Sequence, residues 1–278
     1  MAAAEEFLAL SLAERVGRDG FVRLRPAEMA ASLQVPAAAL GAFAASWERL
    51  ETDGFMADGG RYRLRRHANF LATSGGAPQD GLASPRQGNL AAPREGSLAA
   101  PRGTLAAPRR GNLAAPRRGL HRPHFQASVH NTLNGGVDRW FAPVEDAVVH
   151  NPATSALLAM GGEAAAALQP GKTWFIEMHQ FRIEALPGAP GYPTPEGTHH
   201  DGVDYVLIAM INRRNLTGGQ TLVADNAGAE RFRTTLDGLL DTIFLDDSRV
   251  LHGVTPIEPT DPALPSRRDV LVVTWKAV

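Results

Sequence analysis

Between Trp174 and Trp275 the sequence breaks into six short runs of strand-forming residues, and no helix-length segment lies between them. The runs are Trp174 to Ile183 (WFIEMHQFRI), Val203 to Ile211 (VDYVLIAMI), Thr221 to Ala224, Ile243 to Leu245, Arg249 to Val254 and Asp269 to Trp275 (DVLVVTW). Turn-forming residues, among them Leu216-Thr217-Gly218-Gly219 and Pro256 to Pro265, separate them. Short strands at this spacing close into an antiparallel barrel or sandwich, such as a double-stranded β-helix (jelly roll). A dinucleotide-binding α/β sheet is unlike this pattern, because no GxGxxG follows a strand and no helices alternate with the runs. The expected fold is mainly β with flanking helices, an α+β arrangement on a jelly-roll core. The mouth of such a core is suited to a small ligand.

The upstream part is mixed. Ala4 to Val16 has helical spacing, and Gly20 to Leu24 reads as a strand. Pro26 and Pro36 each open a helix, the second running to about Leu50. Gly60 to His67 reads as another strand. His150 to Leu168, rich in alanine, reads as two short helices separated by Gly161-Gly162.

Between the two parts lies a tandem repeat, LASPRQGN, LAAPREGS, LAAPRGT, LAAPRRGN, LAAPRRGL, from Leu82 to Leu120. Each copy offers one leucine, small residues, a proline and a glycine. That is too little apolar surface to offset the entropy of ordering it, and a proline per copy interrupts helix and sheet alike. The expected organisation is a helical and mixed N-terminal part (residues 1–74), a disordered low-complexity excursion (75–120) and the catalytic jelly-roll core (121–278). Eight arginines against Glu95 give residues 82–122 seven net positive charges, in a chain whose total is -1. The repeat contains no aromatic residue on which a base could stack, so nucleic acid is not the expected partner.

Composition narrows the chemistry. There are no cysteines, so disulfides, thiolate nucleophiles and iron–sulfur clusters are excluded, and a bound metal must be held by His, Asp or Glu. Glu5 and Glu6 stand where an export signal needs positive charge, and no apolar run reaches membrane-spanning length. A cytoplasmic protein with no membrane partner is expected.

The residues that could carry chemistry centre on Gly197-Thr198-His199-His200-Asp201-Gly202, just before a long strand. In an extended chain side chains two apart share a face, so His199 and Asp201 point one way and His200 the other. An imidazole and a carboxylate at that spacing supply two members of a two-His-one-carboxylate metal triad. His252, 51 residues beyond Asp201 in a strand-like run, is the candidate third. Such a triad leaves three positions open, two for the keto acid of 2-oxoglutarate and one for O₂. His-x-Asp alone is a weak signal, met in many solvated loops. It gains weight from the adjoining strand, from His252, and from Arg267-Arg268-Asp269, since a keto diacid needs a cation for its far carboxylate. Adjacent arginines in a strand point oppositely. Arg268, which shares its side with Val270, Val272 and Thr274, is favoured over Arg267. Gln180 and Arg182, two apart on one strand, are candidates to face the cavity and meet a substrate. An outward salt bridge is the competing reading of Arg182. Glu196 is a candidate contact for an amino group, with a turn residue the competing reading. Gln126 and Arg139 carry no assigned role. The remaining histidines, His67, His121, His124, His130, His150 and His179, read as surface or hydrogen-bonded residues.

The segments PTPEGTHHDGVDYVLIAMINRRNLTGG (Pro193 to Gly219), FLDDSRVLHGVTPI (Phe244 to Ile257) and RRDVLVVTW (Arg267 to Trp275) resemble the bacterial 2-oxoglutarate/Fe(II) dioxygenases that include the L-isoleucine dioxygenases. The resemblance extends to FQASVHNTLNGGVDRWFAPV (Phe125 to Val144) and HQFRI (His179 to Ile183), and departs at the repeat. It implies a dioxygenase with Fe(II) on His199, Asp201 and His252, 2-oxoglutarate on Arg268, O₂ as oxidant and ascorbate as a supporting reductant. The implied partner is a small molecule, a free aliphatic or sulfur-containing L-amino acid that is hydroxylated or sulfoxidised. The competing readings are a cupin-like isomerase or hydrolase, and a non-catalytic metal-binding jelly roll acting as a sensor. The clustered His-x-His with a later Glu of cupin-like enzymes is absent.

Overall fold

The computed structural model describes residues 11–56, 62–73, 113–127, 133 and 135–278. Ala4 to Leu10, Gly60, the repeat copies before Leu113 and His130 lie outside them. Helix α1 (Leu12–Asp19) opens on a capping box, with Ser11 and Glu14 bonding each other's backbone amides. Strand β1 (Phe21–Leu24) follows, then α2 (Pro26–Leu33), α3 (Ala37–Ala45), a 3-10 turn (Ser46–Arg49) and β2 (Glu51–Thr52). Next come β3 (Arg63–Thr73), β4 (Arg117–Arg118), α4 (Asp146–Val149) and α5 (Pro152–Leu168). The rest is strand: β5 (Thr173–Ala185), β6 (Tyr205–Arg214), β7 (Leu216–Gly218), β8 (Gln220–Asp225) and β9 (Glu230–Thr235), then β10 (Thr242–Asp246), β11 (Val250–Val254), β12 (Ile257–Pro259) and β13 (Ser266–Ala277).

The pairing between the strands is antiparallel, apart from a single parallel bridge of His67 with Pro143, and makes the expected jelly roll. The major sheet runs β1-β10-β6-β13-β5-β3-β2, with β4 added to β3. Opposite it lie β11-β8-β9 and the ribbon β12-β7. The major sheet is covered on both faces, and alternation sorts its side chains between them. Trp174, Ile176, Met178, Leu207, Ala209, Leu271, Val273 and Trp275 pack against Val16, Met29, Phe43, Trp47, Leu157 and Leu158 of the helical layer. Val206, Ile208, Met210 and Val270 face inward against Val223 and Val250 of the opposite sheet. No single helix among the described residues is long and apolar enough to cross a membrane.

Two expectations about local structure change. Helix α5 runs unbroken through Gly161 and Gly162, where two helices were expected. The reason is packing: a Cβ on Gly161 would lie 2.3 Å from the ring of the fully buried Trp275. The glycine lets helix and sheet approach rather than ending the helix. Gly161→Ala is therefore expected to lower stability by about 1–2 kcal/mol despite alanine's better helix propensity, as read by urea unfolding.

The other change concerns the repeat. Its last copy, Leu113–Leu120, is placed on the domain. Leu113 packs against the core, Arg117–Arg118 pair with Leu71 and Phe70, and Asn69 donates to Leu120 O. One leucine and two backbone pairs suffice here because β3 presents a free edge to receive them.

Candidate metal centre and active-site cavity

The inner faces of the two sheets enclose a cavity of about 320 Å³. His199, Asp201, His252 and Arg268 all line it. His199 and Asp201 sit on the loop before β6, and His252 sits within β11. Their backbones are joined directly, His199 N donating to His252 O (2.9 Å) and His252 N to His199 O (3.0 Å). Gly253 makes this approach possible, since a Cβ there would meet Gly197 O at 3.0 Å. The loop is shaped by Asp247, whose carboxylate accepts from the amides of Asp201 (3.0 Å), Gly202 (2.8 Å) and Val203 (3.2 Å). Asp247 also stands 3.7 Å from His252 Nδ1, within electrostatic range of the second arm of the triad though not hydrogen-bonded to it.

One ligand atom from each of His199, Asp201 and His252 lies within 4.8 Å of the others. Asp201 Oδ1 is 3.4 Å from His199 Nε2, and Oδ2 is 3.5 Å from His252 Nε2. Burial works against a charged His199, but Asp201 and Glu196 beside it lift its pKa to about 9. Burial lowers that of His252 to about 4. Burial alone would raise Asp201; the two imidazoles hold it well below the usual carboxylate range. Two imidazoles and an ionised carboxylate, converging on one point in a half-open cavity, are a donor set that fits Fe(II) and leaves positions free. His200, as expected from alternation, does not line the cavity.

Arg268 is 2% exposed, and its Nε and Nη2 have no hydrogen-bond partner among the described residues. Burial, and Arg213 beside it, lower its pKa to about 10. A buried guanidinium with idle donors facing a cavity fits a carboxylate ligand. Arg267 points outward to Glu48 (2.6 Å).

Gln180 and Arg182 are corrected. Neither lines the cavity. Gln180 Nε2 donates to Ser46 Oγ, and Arg182 makes a bidentate pair with Asp269 (2.7 and 2.9 Å) and reaches Glu48 (3.1 Å). They share the face of Trp174, Ile176 and Met178, toward the helical layer. The odd-numbered residues of β5, Phe175, Glu177, His179, Phe181 and Ile183, face the cavity instead.

Those residues belong to a polar cluster that the sequence did not reveal. Pairing of β3 with β5 sets His67 opposite His179, with the rings stacked at 4.7 Å. Glu177 Oε1 lies 3.0 Å from both His67 Nε2 and His124 Nδ1. Arg65, sandwiched between the Phe141 and Phe181 rings, reaches His179 Nδ1 at 2.8 Å. Arg139 donates to Gln126 Oε1 (3.4 Å), and Gln126 Nε2 to Asp201 Oδ1 (3.3 Å). Glu196 lines the same space, 3.4 Å from His199 Nε2. Burial alone would raise the pKa of Glu177, but the bonds to His124 and His67 bring it down to about 2 from 4.5. A depressed carboxylate contributes stability that is present above pH 4.5 and is lost as the pH falls towards 2. Glu177→Gln is thus expected to flatten the loss of stability between pH 4.5 and 3, as measured by urea midpoints.

A jelly roll with two histidines and an aspartate converging inside it is a frame for a mononuclear non-haem metal centre. Residues 108–274 match the 2OG-Fe dioxygenase family, and the chain belongs to that family. It is 28% identical over 162 residues to the 3(1)-hydroxy-L-isoleucine 4-dioxygenase of Pantoea ananatis (strain AJ13355), covering 57% of this chain and 65% of that protein. It is 28% identical over 156 residues to the L-isoleucine-4-hydroxylase of Bacillus thuringiensis, covering 55% and 64%. The aligned segment thus spans just under two thirds of these relatives. Among solved structures, a bsmA homologue from Methylobium petroleophilum PM1 aligns with a TM-score of 0.75 at 36% identity, covering 96% of this chain and 93% of that one. IDO from Bacillus thuringiensis shares the fold, with a TM-score of 0.68 at 18% identity, covering 97% and 96%.

Proposed function

We propose that the chain is an Fe(II)- and 2-oxoglutarate-dependent dioxygenase that hydroxylates, or sulfoxidises, a free L-amino acid in the cytoplasm, without nucleic acid or membrane as partner. The observation that carries this is the common cavity, in which a His-Asp-His triad stands beside a buried arginine with idle donors. His199, Asp201 and His252 would hold the metal. Arg268 would take the far carboxylate of 2-oxoglutarate, and Val270 and Val272 give the same cavity an apolar lining. When bound, Fe(II) with 2-oxoglutarate and O₂ supplies an oxidation that leaves one oxygen atom in succinate and the other in the product, with release of CO₂. The protein's part is to orient both organic molecules and to exclude water from the reacting atoms. The substrate class rests on the relatives, whose names specify L-isoleucine and its hydroxylated form.

The test is succinate formation by purified protein with Fe(II), ascorbate, 2-oxoglutarate and O₂, with pooled L-amino acids added or omitted. Stimulation by one amino acid is expected; no 2-oxoglutarate turnover in any pool would refute the reading. Arg268→Ala is expected to raise the KM for 2-oxoglutarate by about 100-fold, the value of a charged bidentate contact. Arg268→Lys should recover part of that loss.

A further inference from the structure

The metal triad and Arg268 account for one half of the cavity. The other half contains charges that the reaction as described does not use. Arg139 is 2% exposed, forms no ion pair with any described residue, and leaves its Nε without a hydrogen-bond partner. Arg65 Nε is likewise idle, and its nearest carboxylate, Asp53 at 3.7 Å, is already engaged by Arg63 at 2.6 Å. Around this point three guanidiniums (Arg63, Arg65, Arg139) share the field of three carboxylates (Asp53, Glu177, Glu196), but none of the three forms an ion pair with Arg139, whose charge is left without a contacting counter-ion among the described residues. A buried cation without a counter-ion is costly, and one that opens on a cavity is a place for an anion. Glu177 supplies the opposite sign close by. Both of its histidine bonds end on Oε1, so Oε2 takes no hydrogen bond from the described residues.

We propose that Arg65 and Arg139 bind the α-carboxylate of the organic substrate and that Glu177 binds its α-ammonium group. The inference rests on the dioxygenase reading and extends it by giving the substrate's head group a seat. A cation pair beside an ionised carboxylate matches a zwitterion. A phosphate would bring excess negative charge against Glu177, and a residue within a peptide has neither free group. Gln126, bonded to Arg139 on one side and to Asp201 on the other, spans the distance from this seat to the triad. A head group held there directs the remainder of the molecule towards the metal.

His67, His124, Glu177 and His179 also bring one ligand atom each within 4.8 Å of one another, the spacing of a second metal site. The charge nearby opposes that use. Arg65 contacts His179 Nδ1 at 2.8 Å, and Arg63 and Arg139 add two more positive charges within electrostatic range. The same field that repels a divalent cation attracts a carboxylate.

The test is calorimetric titration of protein loaded with Mn(II) and 2-oxoglutarate under argon. The probes are the twenty common L-amino acids and, for whichever binds most tightly, its carboxamide and N-acetyl derivatives. At least one free amino acid should bind, with both derivatives weaker by at least about 30-fold. Arg139→Gln and Arg65→Met should each weaken the free amino acid by about 100-fold while leaving 2-oxoglutarate affinity in place, which reports an intact fold. Arg139→Lys should lose only about tenfold, keeping the charge without the fork. Glu177→Gln should collapse the discrimination against the N-acetyl derivative to a few-fold. Equal binding of the carboxamide, arginine variants that bind like the parent, or no binding by any of the twenty would overturn the proposal. So would a second equivalent of Mn(II) that disappears in Glu177→Gln. Titration of 2-oxoglutarate alone tests the underlying reading separately, since its failure to bind would remove that reading first.

Discussion

Asp201→Ala is expected to abolish succinate formation and to release the metal, with the fold intact by circular dichroism. Asp201 is the only carboxylate of the triad, and its two oxygens face both imidazoles at 3.4 and 3.5 Å. Without it, two neutral histidines would have to hold a divalent cation in a cavity where Arg268 and Arg139 already contribute positive charge. Losing an outer-shell partner costs metal sites about 10- to 100-fold, and a direct ligand costs more, so a loss beyond about 10³-fold is expected. Metal content after dialysis and single-turnover succinate yield would check it. Retention of one equivalent of iron with undiminished turnover would rule out the triad. With both proteins stripped of metal, removing Asp201 also removes the main support for a protonated His199, so its titration should move down from about 9 in the variant, as NMR of the metal-free forms would show.

Asp269→Ala is expected to cost about 3–5 kcal/mol, on the order of 10 °C in Tm. Asp269 is buried and takes both arms of the Arg182 guanidinium. Its removal leaves Arg182 with only Glu48, which is 54% exposed and shared with Arg267. The damage comes from the stranded cation rather than from the lost attraction. The double variant Arg182→Met/Asp269→Leu should therefore recover most of the loss, and a double variant as unstable as the single one would contradict this account. Urea unfolding of the three variants gives the comparison.

This ion pair also shows where the sequence could and could not be read. His-x-Asp beside a strand, a distal histidine and an arginine opening the last strand were legible because each depends on local spacing. Arg268 could be preferred over Arg267 because Val270, Val272 and Thr274 share its side. The same alternation failed on β5. In WFIEMHQFRI both faces are buried, one against helices and one against the cavity, so polarity does not reveal which parity points inward. Gln180 and Arg182 looked like cavity residues because they are polar, yet they anchor the helical layer. Glu177 and His179 were passed over because their meaning depends on register with β3 more than 100 residues upstream, on Arg65 and His67. Arg139 and Gln126 stood in recognisable segments, but nothing local reveals that they meet Asp201. The jelly roll itself followed from strand count and turn spacing. The continuity of α5 did not, since only the opposing Trp275 ring explains its two glycines.

The reciprocal backbone bonds between His199 and His252 have a kinetic consequence. They hold two of the three donors in place through main-chain atoms, with no contribution from an ion. The apoprotein should therefore keep its shape, unlike small domains that collapse when their metal is chelated. Stripping with a chelator should be silent in far-UV circular dichroism and reversible on adding Fe(II). Reactivation should then follow the rate of metal encounter rather than that of a folding step.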